Sequence, residues 1–305
     1  MGVCKTIRKM IDVHHHIVPL QAPKSLNLPK WSIEEDLETM DRLGIEVSLL
    51  SVPVSGNTEM VLRINEHLAS LVQYNSNRYG FLASLSLENI DSTLGQVDFA
   101  YDSLKADGFI LPTNYNGLYL GSEKLLPLLY ELNRRQAVVL VHPSTPSGDN
   151  FPTFDRDLSV YEYPLETTRA VMDMIYKDRL TQFPNIKWII SHAGGAIPYL
   201  SHRLSIAHEW NGVSQDENEV LEAISSLYFD LALSTADNVY QCLKGVANIS
   251  RLLLGTDLPL RCESGVSKSL DHINNTSVFT EIEKQDILFD NAHRLFHRFE
   301  KGIHK

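Results

Sequence analysis

The chain has 305 residues, 43% of them hydrophobic and 21% charged, with 27 Lys and Arg against 38 Asp and Glu for a net charge of −11. This is the composition of a globular protein long enough to bury a sizeable core, and it excludes a disordered chain or a disulfide scaffold. An acidic chain without a basic block is also a poor partner for nucleic acid or an anionic membrane surface.

The amino terminus has no apolar run of the kind a signal peptide carries, and no later run approaches the roughly 18 residues of a membrane span. Cys4, Cys242 and Cys262 form no Cys-x-x-Cys pair and read as reduced thiols, so a cytoplasmic protein is expected. From Met10 onward, short apolar runs alternate with amphipathic stretches. Met10–His14 leads to a helix over Ser32–Leu43, opened by Ser32 and Glu35 and stopped by Gly44. Ile45–Val52 leads to a helix over Glu59–Asn75. Tyr79–Ser86 and Asp107–Leu111 follow, then a helix over Ser122–Gln136 and the run Ala137–His142. After an irregular stretch, Pro143–Pro164, the pattern resumes with a helix over Leu165–Thr181, the run Ile186–His192 and a helix over Ala196–Trp210. Tyr228–Leu233, a helix over Thr235–Lys244 and Arg251–Asp257 complete it. The runs are rich in β-branched and apolar residues and bounded by turn formers, as buried parallel strands are.

About eight strand-plus-helix units predict a (β/α)8 TIM barrel, one domain over residues 1–305, with its active site on the C-terminal rim. A doubly wound open sheet is the alternative, but no Gly-x-Gly-x-x-Gly follows an early strand. Pro143–Pro164 carries Phe151, Phe154, Tyr161 and Tyr163 and reads as a substrate loop or lid.

The histidines fall where such a barrel performs chemistry. His14 and His16 close the first run, His142 the fifth and His192 the sixth, and Asp257 closes the eighth. His14 and His16 are two apart, so a strand turns both to one side, with Asp12 on that face and His15 opposite. Several imidazoles and one carboxylate converging on a point describe a transition-metal site. Zn²⁺ suits that donor set best, and Mn²⁺, Fe²⁺ or Co²⁺ are also accommodated. A lone strand-end histidine is more often a hydrogen-bonded structural residue; four of them with an Asp are harder to dismiss.

Ile11-Asp12-Val13-His14-His15-His16, Val141-His142-Pro143, Ser191-His192-Ala193-Gly194-Gly195 and Leu254-Gly255-Thr256-Asp257 resemble the metal-dependent amidohydrolase superfamily. They are most similar to the branch of aminocarboxymuconate-semialdehyde and hydroxybenzoate decarboxylases. Tyr163-Pro164-Leu165-Glu166-Thr167-Thr168-Arg169 resembles a motif of that branch. Leu132–Pro146 and Tyr228–Ser234 look most like 6-methylsalicylate decarboxylases, and the resemblance runs from about Met10 to Phe296. It implies one divalent ion held by His14, His16, His142 and Asp257. It implies acid–base work for His192 with Asp257. It also implies that Arg203 reaches the substrate carboxylate of a neighbouring subunit in a homodimer.

The chain departs from the aminocarboxymuconate-semialdehyde decarboxylases. Where they carry a substrate-binding arginine on the first helix, it has Glu34, Glu35, Asp36 and Glu38. Where they carry an aromatic after the His-Pro, it has Ser144. A monocarboxylic phenol such as a salicylate therefore fits better than a dicarboxylate. Glu166-Thr167-Thr168-Arg169 reads as a helix start with a structural ion pair. Three activities compete: non-oxidative decarboxylation of a small carboxylated phenol, metal-assisted hydrolysis of a lactone, amide or ester, and a catalytically silent metal-binding barrel. Every matched ligand position is filled, which argues against the third.

Overall fold

The computed structural model describes residues 9–19, 28–54, 56–148, 153–210, 212–296 and 298. Eight strands form one parallel sheet in sequence order: β1 (Ile11–His16), β2 (Val47–Ser51), β3 (Tyr79–Ser84), β4 (Gly108–Pro112), β5 (Val138–His142), β6 (Lys187–Ile190), β7 (Tyr228–Asp230) and β8 (Leu252–Leu253). The ring closes between β1 and the segment after β8. Val13 N donates to Leu254 O at 3.0 Å, Asp257 N to His14 O at 2.8 Å and His16 N to Leu258 O at 2.6 Å. This is the (β/α)8 barrel that the alternating runs predict.

The longer helices are α1 (Ile33–Leu43), α2 (Thr58–Tyr74), α3 (Ile90–Asp98), α4 (Leu126–Arg134), α5 (Glu162–Tyr176), α6 (Ile197–Ser205), α7 (Glu217–Ser225), α8 (Asp237–Val246) and α9 (Glu263–Asn275). Local chemistry sets their ends. Ser32 accepts a hydrogen bond from Glu35 N, and Gly44 caps α1 with a left-handed φ of 76°. Asp216 and Glu219 form a reciprocal capping box at α7. Helices α3, α7 and α9 are absent from the periodicity reading.

The strands separate two apolar layers. Ile11 and Val13 of β1, Val47 and Leu49 of β2, Leu82, Ile110, Leu140, Ile189 and Leu253 pack together as the barrel interior, closed below by Phe289, Ala292 and Phe296. The alternate residues, among them Leu50, Phe81, Phe109, Val139, Ile190 and Phe229, join the helices in the larger outer layer. The buried histidines and Asp257 gather at the other end of the barrel, beyond the apolar interior.

Most boundaries move by a few residues, and three of the shifts bear on the site. β1 runs on to His16 rather than ending at His14, β6 stops at Ile190, and β8 ends at Leu253. His192 and Asp257 therefore stand in the turns beyond their strands. In the segment before α5, Phe151 lies outside the described residues. Phe154 is 72% exposed and turned to solvent, and the Tyr161 hydroxyl donates to Thr153 O at 2.9 Å. Cys242 and Cys262 are free thiols, and Cys4 lies outside the described residues. No helix among the described residues is long and apolar enough to cross a membrane.

Candidate active site

The first strand builds half of the site. Ile11 and Val13 face the barrel interior, and the pairing of β1 with β2 shifts register between Asp12 and His15. The shift reverses the alternation, so His14 and His16 turn inward and His15 turns out with Asp12. This corrects the expectation that Asp12 shares the face of His14 and His16. Its carboxylate instead accepts from His14 N at 3.1 Å, from Thr256 N at 3.0 Å and from Thr256 Oγ1 at 2.5 Å, and lies 3.1 Å from His15 Nδ1.

His142 ends β5, and two left-handed turns supply the rest. His192, Ala193, Gly194 and Gly195 all have positive φ, 54° to 75°. A Cβ on Gly194 would stand 2.6 Å from the Phe229 ring, and one on Gly195 would stand 2.1 Å from Pro164 O. Glycine is thus needed there both for conformation and for close approach. Asp257 is itself left-handed, with φ 62°, a strained setting for a non-glycine residue and one often found at functional sites.

One ligand atom from each of His14, His142, His192 and Asp257 lies within 4.8 Å of the others. His16 joins them. Its Nε2 is 3.0 Å from His14 Nε2 and 3.1 Å from Asp257 Oδ1, and His14 Nε2 is 3.4 Å from the same oxygen. All five residues are buried. Acceptors behind the rings fix the tautomers. His14 Nδ1 donates to Asp230 Oδ2 at 2.9 Å and His142 Nδ1 to Pro143 O at 2.9 Å. His16 Nδ1 donates to Ser51 Oγ at 3.0 Å, whose own proton goes to His15 O. Each Nδ1 proton is committed outward, so each Nε2 points at the common centre.

Two Nε2 atoms 3.0 Å apart require a proton or a metal ion between them. Asp257 Oδ1 and His192 Nε2 are buried and without a hydrogen-bond partner among the described residues. Each such orphan costs about 1–3 kcal/mol. The charges agree. Burial, reinforced by His16 and His14, pushes the His142 imidazolium well below its ordinary range, and burial likewise lowers His16. Burial opposes charge on His14 too, but Asp230 outweighs it and raises that imidazolium to about 9. Burial alone would raise Asp257; His16, His192 and His14 instead hold it well below the carboxylate range. His16, His142 and Asp257 are thus held deprotonated, while Asp230 and Asp257 favour positive charge at His14, whose Nε2 proton a divalent ion would displace.

Glu166 and Arg169 pair, but not at a helix start, since α5 begins at Glu162. Buried Glu166 also accepts from Asn114 Nδ2 at 2.8 Å and the Tyr119 hydroxyl at 3.2 Å. Thr168 Oγ1 accepts from Ala196 N at 2.9 Å, tying α5 to the turn that carries His192. Arg203 stands apart. It is exposed on α6 with its guanidinium 5.7 Å from the Trp210 ring centre. Sequence reasoning missed Asp230. Its place two residues after Tyr228, at the end of a short strand, was the available signal.

The amidohydrolase family profile matches residues 11–298. The chain is 32% identical to decarboxylase yanB of Aspergillus niger over 95% of this chain and 88% of that protein. It is 30% identical to the 6-methylsalicylic acid decarboxylase acuB of Aspergillus aculeatus over 96% of this chain and 97% of that one. Among solved structures, one described as amidohydrolase II superposes with a TM-score of 0.88 at 28% identity, covering 94% of this chain and 99% of the other. A dihydroxybenzoic acid decarboxylase from Polaromonas sp. JS666, with manganese and 2-nitroresorcinol bound, superposes with a TM-score of 0.79 at 17% identity, covering 95% and 96%.

Proposed function

The chain belongs to the amidohydrolase family, and on that premise we propose that it is a metal-dependent, non-oxidative decarboxylase of a small carboxylated phenol of the 6-methylsalicylate kind. The observation that carries the reading is similarity along nearly the whole chain to a 6-methylsalicylic acid decarboxylase. The donor cluster by itself would serve a hydrolase equally well.

His14, His16, His142 and Asp257 would hold one divalent ion, and the orphaned Asp257 oxygen and the converging Nε2 atoms fit that role. The imidazole-rich donor set favours Zn²⁺, and the manganese in the Polaromonas enzyme makes Mn²⁺ its competitor. When bound, the ion supplies Lewis-acid polarisation and a template for the phenolate and carboxylate oxygens of the substrate. The protein supplies the proton. His192 Nε2 and Asp257 Oδ2 are 3.8 Å apart, close enough for both to serve the same reacting carbon. A proton placed on the ring carbon that bears the carboxylate interrupts aromaticity. The bond to the carboxylate carbon then breaks, its electron pair returns to the ring, and CO₂ leaves.

The first helix supports a monocarboxylate. Asp36, in the region where a dicarboxylate-binding arginine would be sought, is turned to His15 and Tyr79. Arg203, beside the exposed Tyr199 and Trp210, supports a homodimer in which it serves the neighbouring subunit's substrate. The free thiols of Cys242 and Cys262 suit the reducing cytoplasm. The test is a panel of 2-hydroxybenzoates assayed for CO₂ beside lactones, amides and esters assayed for hydrolysis. CO₂ release from the benzoates alone is expected; hydrolysis without CO₂ would transfer the same site to the hydrolase reading.

A further inference from the structure

Asp230 ends β7, is fully buried and touches two different parts of the site. Oδ2 accepts from His14 Nδ1 at 2.9 Å. Oδ1 accepts from His192 N at 3.1 Å and from Ala232 N at 2.9 Å. One oxygen thus holds a ring from β1, and the other holds the backbone of the turn after β6. Gly255 lies against this pair. A Cβ there would stand 2.9 Å from His14 Cβ and 3.0 Å from both Asp230 Cβ and Cγ. Gly255 is not in the left-handed region, so the position needs glycine for space rather than for conformation.

We propose that Asp230 is a positioning residue that couples metal retention to proton delivery, and that Gly255 is the gap that keeps it within reach of His14. The proposal rests on the reading of His14 as a metal ligand. A carboxylate behind a ligating imidazole fixes its tautomer and orientation and raises its basicity, and losing such a partner typically weakens metal binding about 10–100-fold. The same carboxylate pins His192 N in a left-handed turn. The ring of His192 therefore takes its place beside Asp257 from the group that orients His14.

Asp230→Asn separates the two duties. Its amide oxygen can still accept from His192 N and Ala232 N, but its NH₂ facing His14 Nδ1 cannot accept a proton. His14 is then driven to the tautomer with the proton on Nε2, where the metal requires a lone pair.

The experiment measures Zn²⁺ and Mn²⁺ affinity by chelator competition, and kcat at saturating metal, for the wild type, Asp230→Asn, Asp230→Ala and Gly255→Ala. Circular dichroism checks folding. Asp230→Asn is expected to bind metal about 10–100-fold more weakly. Asp230→Ala should match that loss and, metal-saturated, fall below Asp230→Asn in kcat, because only the Asn variant keeps the acceptor for His192 N. Gly255→Ala should weaken metal binding although it removes no polar group. Folded Asp230→Asn and Gly255→Ala proteins with wild-type affinity would overturn the proposal. If the variants do not fold, ¹⁵N shifts of the wild-type imidazoles decide. A proton on His14 Nδ1 in the metal-loaded protein is expected, and one on Nε2 overturns the assignment. A wild type that binds neither metal overturns the ligand reading itself, which is a different result from binding that the variants leave unchanged.

Discussion

Two clusters of histidine and aspartate stand back to back across the wall of the first strand. Inside are His14, His16, His142, His192 and Asp257; outside are His15, Asp12 and Asp36, with Tyr79 and Thr256 around them. Both are buried and both mix imidazole with carboxylate. Outside, the hydrogen bonds are complete. His15 lies 3.1 Å from Asp12 and 2.9 Å from Asp36, the Tyr79 hydroxyl donates to Asp36 at 2.7 Å, and Thr256 donates twice to Asp12. Inside, three Nε2 atoms meet, and two buried polar atoms lack partners among the described residues. Residue type does not distinguish the clusters; unsatisfied valence does. A satisfied buried network specifies structure, whereas an unsatisfied one calls for a ligand.

The contrast predicts opposite responses to mutation. The largest effect is expected inside. Asp257→Ala removes the one anionic donor of the cluster, so the variant should lose bound metal and detectable turnover while remaining folded, read by metal analysis and a thermal melt. His192→Asn should retain metal and lose about 10²–10⁴-fold in kcat, the usual worth of general acid–base catalysis. Full activity in that variant would contradict its role in proton delivery.

Outside, the damage should go to stability. Asp36→Ala leaves His15 with one buried partner and should cost about 3–5 kcal/mol, read by denaturant unfolding. Metal stoichiometry should not change. A variant that instead loses metal without losing stability would erase the distinction between the two sides.

A smaller effect is a slope with pH. Burial opposes charge on His15, but Asp36 and Asp12 outweigh it and hold its imidazolium up to about 10, against an ordinary 6.5. A group raised on folding contributes stability that is complete below about pH 6.5 and is lost as pH rises toward 10. Asp36 is its complement. Burial opposes its ionisation, but His15 and Tyr79 hold it below the ordinary carboxylate value, so its contribution is lost as pH falls. Unfolding of the metal-loaded protein should therefore become easier between pH 6.5 and 10, and the slope should be shallower in Asp36→Asn. Equal slopes would remove the His15–Asp36 pair as its source. The smallest effect is expected at Arg203. Because it lies outside this chain's own cluster, Arg203→Ala should raise KM with little change in metal content, provided sedimentation gives a dimer.

Much of this architecture is legible in the sequence. The apolar runs locate the strands, and the positions of His14, His16, His142, His192 and Asp257 locate the candidate centre, because those residues stand at or just beyond the ends of apolar runs. The assignment of Asp12 fails for a local reason: strict alternation cannot anticipate the register shift between Asp12 and His15. Helices α3, α7 and α9 escape because their buried faces are short or partly polar. α3 buries Thr93, Gln96 and Val97, α7 only Val220 and Ile224, and α9 includes Ser269 among Val266, Leu270 and Ile273. Asp36 stands out in sequence as an acidic residue on a helix; only the fold brings it to His15, 21 positions away. Asp230 and Gly255 are the furthest from view, since their meaning is a contact with His14 across more than 200 positions.

The most direct test of the account is one titration. The protein is stripped of metal with chelator, and Zn²⁺ or Mn²⁺ is returned while bound metal per chain and CO₂ release from a 2-hydroxybenzoate are followed together. Both are expected to rise in parallel and level off at about one ion per chain, the capacity of a single four-donor centre. Full CO₂ release from the stripped protein, or a chain that takes up no ion, would contradict it.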